Sequence, residues 1–188
     1  LTAIGTLKVK EISTWRQRML GEAALLTESP FFARGVELYL QDSQLENATA
    51  LVNRLRSIST HYHYPGVLVI NPRAEAIVSY GPFAELSKRS GLDRLVARAM
   101  HERLAVLSDL FTDDQAGGIF LAVAAPLFRN GHPDADLLGA VVLVCDPGAF
   151  LYPLIQSWPV PSETAESLLV RADGDDILYL NELRHKPG

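Results

Sequence analysis

Few residues in this sequence have the type and spacing to do chemistry. His61 and His63 form a His-x-His pair whose ring nitrogens can share a metal, but zinc needs a third and fourth ligand and no Cys/His cluster with metal spacing accompanies them. The run Asp173-Gly174-Asp175-Asp176 begins like a calcium loop, yet Ile177 stands where the fifth-position ligand belongs and no Glu arrives at the twelfth, so it reads as a turn. Cys145 ends the apolar run from Gly139 to Val144 and reads as a small buried hydrophobe. Asp109 is more telling: it stands within apolar, strand-like residues, and a carboxylate close to a core needs a partner, either a ligand amine or an internal arginine. Lys88-Arg89 offers the complementary charge, with the arginine fork suited to a bidentate grip on a carboxylate; on a solvated face the same pair does nothing of the kind. Tyr80 and Phe111, at the ends of strand-like runs, can wall a pocket or fill a core.

No Gly-rich phosphate loop and no Gly-x-Ser-x-Gly elbow is present. A hydrolase would have to pair Asp109 with His101 or His61, which requires those side chains to converge in one pocket. The expectation is therefore a fragment with no catalytic residues, no metal and no cofactor. The formal net charge of -5, with 17 Lys and Arg scattered along 188 residues, lacks the clustered positive charge that binds phosphates, so nucleic acid is not an expected partner.

The elements that must position these residues follow from the apolar spacing. Ile12, Trp15, Met19 and Leu26 fall on one face of a long first helix, with Glu22 at a heptad position that a strong coiled coil would fill with Leu or Ile. That stripe can pack on a sheet, on a twin helix, or on both. Ser29-Pro30 breaks the helix, Phe31 to Leu40 forms a second, and Leu45, Ala48, Val52, Leu55, Ile58 and Tyr62 mark a third ending at Pro65-Gly66. A hairpin follows, Val67–Ile70 and Ala76–Tyr80 around Asn71-Pro72-Arg73. An amphipathic helix over Leu92–Leu104 then crosses to three further strands, Ala105–Phe111, Ile119–Phe128 and Leu137–Cys145. Without repeated βαβ crossovers the fold class is α+β: a long amino-terminal helix and a five-stranded antiparallel sheet.

Phe150 to Ile155 reads as a short helical connector and Trp158-Pro159-Val160-Pro161 as a stiff linker, followed by a hairpin around Asp173-Gly174-Asp175. Two strands are too few for a domain, so this hairpin is expected to begin a second module. The divisions expected are residues 1–64 for the stalk helix and helical pair, 65–160 for the sheet, and 161–188 for the linker hairpin. No run reaches the 18 or so apolar residues of a membrane helix, and a helical pattern already running at Leu1 suggests a piece of a longer chain with its anchor elsewhere.

The order of long helix, helical pair, hairpin and antiparallel strands resembles the double CACHE domains, the extracellular PAS-like sensors of bacterial histidine kinases and diguanylate cyclases. The sharper likeness runs from Asp146-Pro147 through Phe150-Leu151-Tyr152-Pro153 and Thr164-Ala165-Glu166 to Leu180-Asn181-Glu182-Leu183-Arg184-His185, similar to the junction between distal and proximal modules in one such receptor group. The resemblance implies the periplasmic part of an inner-membrane receptor, foremost a two-component histidine kinase, then a diguanylate cyclase or a chemoreceptor. It implies a small-molecule ligand, a homodimer through the amino-terminal helix, and a pocket on one face of the sheet beneath the hairpin-to-third-strand insertion. Mapped onto this chain, that region includes Tyr62, Tyr80, Arg89, Asp109 and Phe111. The Tyr/Arg/Trp/Asp pattern of amino-acid-binding members is not found, so the ligand class does not carry over. A cytosolic PAS-like regulator and a structural dimerisation module without ligand are the alternatives.

Overall fold

The computed structural model describes residues 2–86, 91–157, 167–173 and 176–181. Its contacts divide into two units, Gln17–Asp146 and a second made of Leu1–Arg16 with Pro147–Gly188. Helix α1 covers Thr2–Thr27, α2 Pro30–Gln41, α3 Leu45–Tyr62, α4 Leu92–Glu102 and α5 Leu151–Gln156. Among the described residues no helix is long and apolar enough to cross a membrane.

In the larger unit the hairpin pairs β1 (Gly66–Ile70) with β2 (Ala76–Tyr80), and its turn is held by Asn71, whose Oδ1 accepts from the backbone N–H of Arg73 (2.9 Å) and Glu75 (3.0 Å). The long strands β5 (Gly118–Phe128) and β6 (Leu137–Cys145) complete the centre of an antiparallel sheet that ends on β3 (Val106–Leu107), with strand order β2-β1-β6-β5-β3. The expected strand over Ala105–Phe111 is broken: β3 is only Val106–Leu107, and β4, Phe111–Asp113, pairs separately further along β5. Ser108 is the physical reason. Its N–H donates to the Ala122 carbonyl at 2.8 Å, while its hydroxyl oxygen accepts from the Ala122 N–H at 2.8 Å, so the side chain takes a place in the ladder that a strand carbonyl would hold. The fifth sheet position is thus filled by two short pieces.

Strands buried on both faces read as unbroken apolar runs rather than alternation. One face carries Leu68, Ile70, Phe120, Ala122, Ala124, Ala140, Val142 and Val144, and α4 lays Leu92, Leu95, Val96 and Ala99 against it. Alanines at the middle of β5 and β6 leave room for that helix to lie close. The other face carries Val67, Val69, Val123, Val141 and Leu143, all fully or nearly fully buried, and α3 packs over β1 and β2. Helix α2 starts cleanly, with Ser29 as N-cap accepting from the Phe32 N–H and Pro30 in the first turn. Its Glu37 is buried but bonded to Arg34 at 2.8 Å and to Arg129 at 3.1 Å.

In the smaller unit the first half of α1 meets α5. The buried Lys8 ammonium donates to the carbonyls of Leu154 and Ser157 and to the Ser157 hydroxyl at 2.8 Å, capping the carboxy-terminal end of α5 with a cation. Trp15 stacks on Phe150 with ring centroids 6.0 Å apart. Strands β7 (Val170–Asp173) and β8 (Asp176–Tyr179) form the expected hairpin, extended by the Asn181 side chain, whose Oδ1 accepts from the Leu169 N–H at 2.6 Å. The tip, Gly174-Asp175, and the expected linker at Trp158–Pro161 lie outside the described residues.

Candidate functional site

The five residues singled out by the sequence do not share one face of the sheet. Phe111 opens β4 opposite Phe120 and lies half-buried against the cluster on the α4 face, its ring centroid 6.4 Å from that of Phe120. Phe120 in turn meets Phe83 edge-on at 5.0 Å. Phe83 fits there because residue 66 is glycine: a Cβ on it would stand 2.2 Å from the Phe83 ring. Three aromatic rings from the β2–α4 connection, β4 and β5 therefore gather at one end of the α4 face, and Arg89, which belongs to the same connection, lies outside the described residues.

Tyr80 ends β2 paired with Val67, on the opposite face, where the Arg56 guanidinium of α3 lies 5.7 Å from its ring centroid. Tyr62 ends α3 on that same helical side. Asp109 corrects the expectation of a carboxylate near the core: the break at Ser108 turns the chain outward, leaving Asp109 exposed with its Oδ1 accepting from the Leu110 N–H at 2.8 Å. His61 is exposed and bonded through Nδ1 to the Ser57 carbonyl of its own helix at 2.7 Å; His63 is the left-handed C-cap of α3. Neither histidine, nor His101, nor Asp109 lines a cavity described below. Cys145 is buried as expected, and burial, with the Glu22 carboxylate nearby, pushes its thiol well above the ordinary range.

Two cavities open on the helical side. One, of about 470 Å³, lies between α2 and α3 and is lined by Phe31, Phe32, Leu38, Asn47, Leu51 and Arg54 among others. The second, of about 230 Å³, is bounded by Glu22, Leu25 and Leu26 of α1, by Arg54, Ile58 and Tyr62 of α3, and by Tyr64 and Leu143. Ser29 and Arg54 belong to both. Sequence reading marked Glu22 as an anomaly in the apolar stripe but not its partner. The αL turn at His63 sends Tyr64 back beneath the helix, where its hydroxyl donates to Glu22 Oε2 at 2.7 Å and its backbone is tied to Ser59 twice. Burial first, and the bond to Glu22 second, push the Tyr64 phenol above its ordinary range.

The sequence matches no protein-family model and no curated protein. The structure does have counterparts. The sensory domain of the Campylobacter jejuni chemoreceptor Tlp3 is 10% identical with a TM-score of 0.60, covering 84% of this chain and 63% of its own. The ligand-binding domain of the Pseudomonas aeruginosa amino acid chemoreceptor PctC, solved in complex with GABA, is 18% identical with a TM-score of 0.55, over 94% of this chain and 72% of its own. The V. cholerae histidine kinase DctB sensor domain is 12% identical with a TM-score of 0.60, over 79% of this chain and 55% of its own. The chain thus spans less than two thirds of the first and third of these domains. At such identities the likeness is one of fold, and the fold is that of the sensory domains of bacterial chemoreceptors and histidine kinases.

Proposed function

We propose that this chain is an extracytoplasmic ligand-sensing domain of a bacterial transmembrane receptor, foremost a sensor histidine kinase, with the output domain and membrane anchor elsewhere in the protein. The observation that carries the reading is the sheet order β2-β1-β6-β5-β3 with α4 on one face and α3 on the other, in a chain that aligns with sensory domains over most of its length. Chemoreceptors and histidine kinases both stand among the structural counterparts, and the preference for a kinase rests on the family resemblance alone.

The ligand is taken on the α4 face, at the end where Phe111, Phe120 and Phe83 gather, with Arg89 supplying the charge for a ligand carboxylate. Aromatic walls with one convergent polar group are the common make-up of a small-molecule site. Tyr80 and Asp109 stand apart from it. Binding favours one of two arrangements of sheet and helices, and the signal is the shift between them, which needs unequal affinity for the two. Pairing of α1 with the same helix of a second copy would carry that shift onward.

Thermal unfolding of the chain against a panel of carboxylates, amino acids, amines and sugars tests the reading, because a ligand that binds only the folded state must raise the midpoint. The expected result is a dose-dependent rise that Arg89→Ala abolishes and Asp109→Ala leaves in place. A well-folded sample that no compound stabilises would favour a structural dimerisation module instead.

A further inference from the structure

The cavity of about 230 Å³ on the helical side places opposite charges at its two ends. Arg54, Ile58 and Tyr62 follow one another at intervals of four along α3, so Arg54 and Tyr62 are separated by about 12 Å of helix axis. Glu22 lies at the Tyr62 end, fixed there by the Tyr64 hydroxyl at 2.7 Å. Ser29, just beyond the carboxy-terminal end of α1, lies at the Arg54 end, where the two cavities meet. Between the charged ends the lining is apolar: Leu25, Leu26, Ile58 and Leu143.

Among the described residues the two charges are not closely matched. Arg54 has no ion pair among the described residues, and Glu22 has only the loose Arg18 contact at 3.6 Å, made by a side chain that is 57% exposed. Such a surface pair contributes little and is readily displaced. A ligand cation alone would leave Arg54 unanswered, and an anion alone would leave Glu22 unanswered. We propose that this cavity is a second ligand site, on the opposite sheet face from the one described above, and that it takes an elongated zwitterion: an ω-amino carboxylate whose ammonium meets Glu22 and the Tyr62 ring, whose methylene chain lies on Ile58 and Leu26, and whose carboxylate meets Arg54. An α-amino acid carries its two charges too close together to reach both ends. Tyr62 is 54% exposed and stacked on Tyr64 at 6.1 Å, so its outer face is open to the ammonium. Occupancy would bridge α1 to α3, the helices the signal has to move.

Calorimetric titration of the 188-residue chain with 6-aminohexanoate tests this, with hexanoate, hexylamine and L-leucine as controls. The expected result is one site for 6-aminohexanoate, with each control at least about tenfold weaker, since each lacks one charge-assisted contact or the length to make both. Arg54→Met is expected to bring 6-aminohexanoate down to the level of hexylamine, and Glu22→Gln, which keeps an acceptor for Tyr64, to the level of hexanoate. Absence of binding at millimolar concentration, or equal binding of hexanoate, overturns the proposal. Binding that survives both substitutions but is lost in Arg89→Ala would assign the compound to the α4 face, overturning this site while supporting the sensor reading.

Discussion

The buried pair Cys145 and Tyr64 fixes how stability should fall in alkali. Both groups are held protonated in the fold, the thiol by burial and then by the Glu22 carboxylate, the phenol by burial and then by its bond to Glu22. The unfolded chain releases these protons near pH 8.5 and 10 respectively. Because the folded protein holds each proton more tightly, the stabilisation is complete below those values and is lost as pH rises through them, at about 1.4 kcal/mol per pH unit for each group. Between pH 8.5 and 10 the loss from Cys145 is about 2 kcal/mol, and between pH 10 and 11 the two together add about 3 kcal/mol. A total near 5 kcal/mol at pH 11 is a large part of the 5 to 15 kcal/mol of a typical domain. Urea unfolding at half-unit steps from pH 8 to 11 reads it. In Cys145→Ala the decline between pH 8.5 and 10 should flatten; in Tyr64→Phe the decline should match wild type up to pH 10 and then run at about half its slope. Groups common to all three proteins cancel in the comparison. Parallel curves for the three would refute the reasoning.

Removing the Lys8 ammonium takes the charged donor from the Ser157 carbonyl and leaves the Leu154 carbonyl with only the Ser157 hydroxyl, so Lys8→Ala should cost about 1.5 to 3 kcal/mol, seen as faster amide exchange at Ser157, whose N–H bonds to Pro153. Gly131, at φ +70 with a Cβ position 2.3 Å from the Glu28 carbonyl, should tolerate alanine far worse than Gly117, which has the same φ and open space around it. Backbone strain alone predicts about 1 kcal/mol for Gly117→Ala, and the urea midpoint of Gly131→Ala should fall by at least twice as much. Tyr64→Phe strips the half-buried Glu22 of its hydroxyl donor and should lower stability at pH 7 by about 1 to 2 kcal/mol, the lower end of a charged hydrogen bond, because water reaches Glu22.

The helices and central strands were legible because their apolar spacing leaves little choice: α4 buries Leu92, Leu95, Val96 and Ala99 at the intervals read from the sequence. The broken edge strand was not, because Ser108 in an apolar run gives no sign that its hydroxyl will stand in the ladder in place of a carbonyl. That one substitution of bonding partner moved Asp109 from the expected core margin to the surface. Lys8 and Glu22 both lie on the apolar stripe of α1, seven residues before Trp15 and seven after it. A polar residue on such a stripe signals a buried partner, but its identity depends on a local event elsewhere, here the αL turn at His63 that brings Tyr64 under the helix. The candidate site was legible only as a region. Face assignment depends on strand register, which pairs Tyr80 with Val67 and Phe111 with Phe120 and so sends the two aromatics to opposite sides.

The central claim is that a small molecule binds at the aromatic end of the α4 face, and backbone amide shifts during titration of the most stabilising compound test it most directly. The expected result is saturable change at Phe111, Phe120 and Ala122, with Val69 and Val141 of the inner strands little affected. Saturable changes confined to the surface of α1 and α3, or none with any compound, would contradict it.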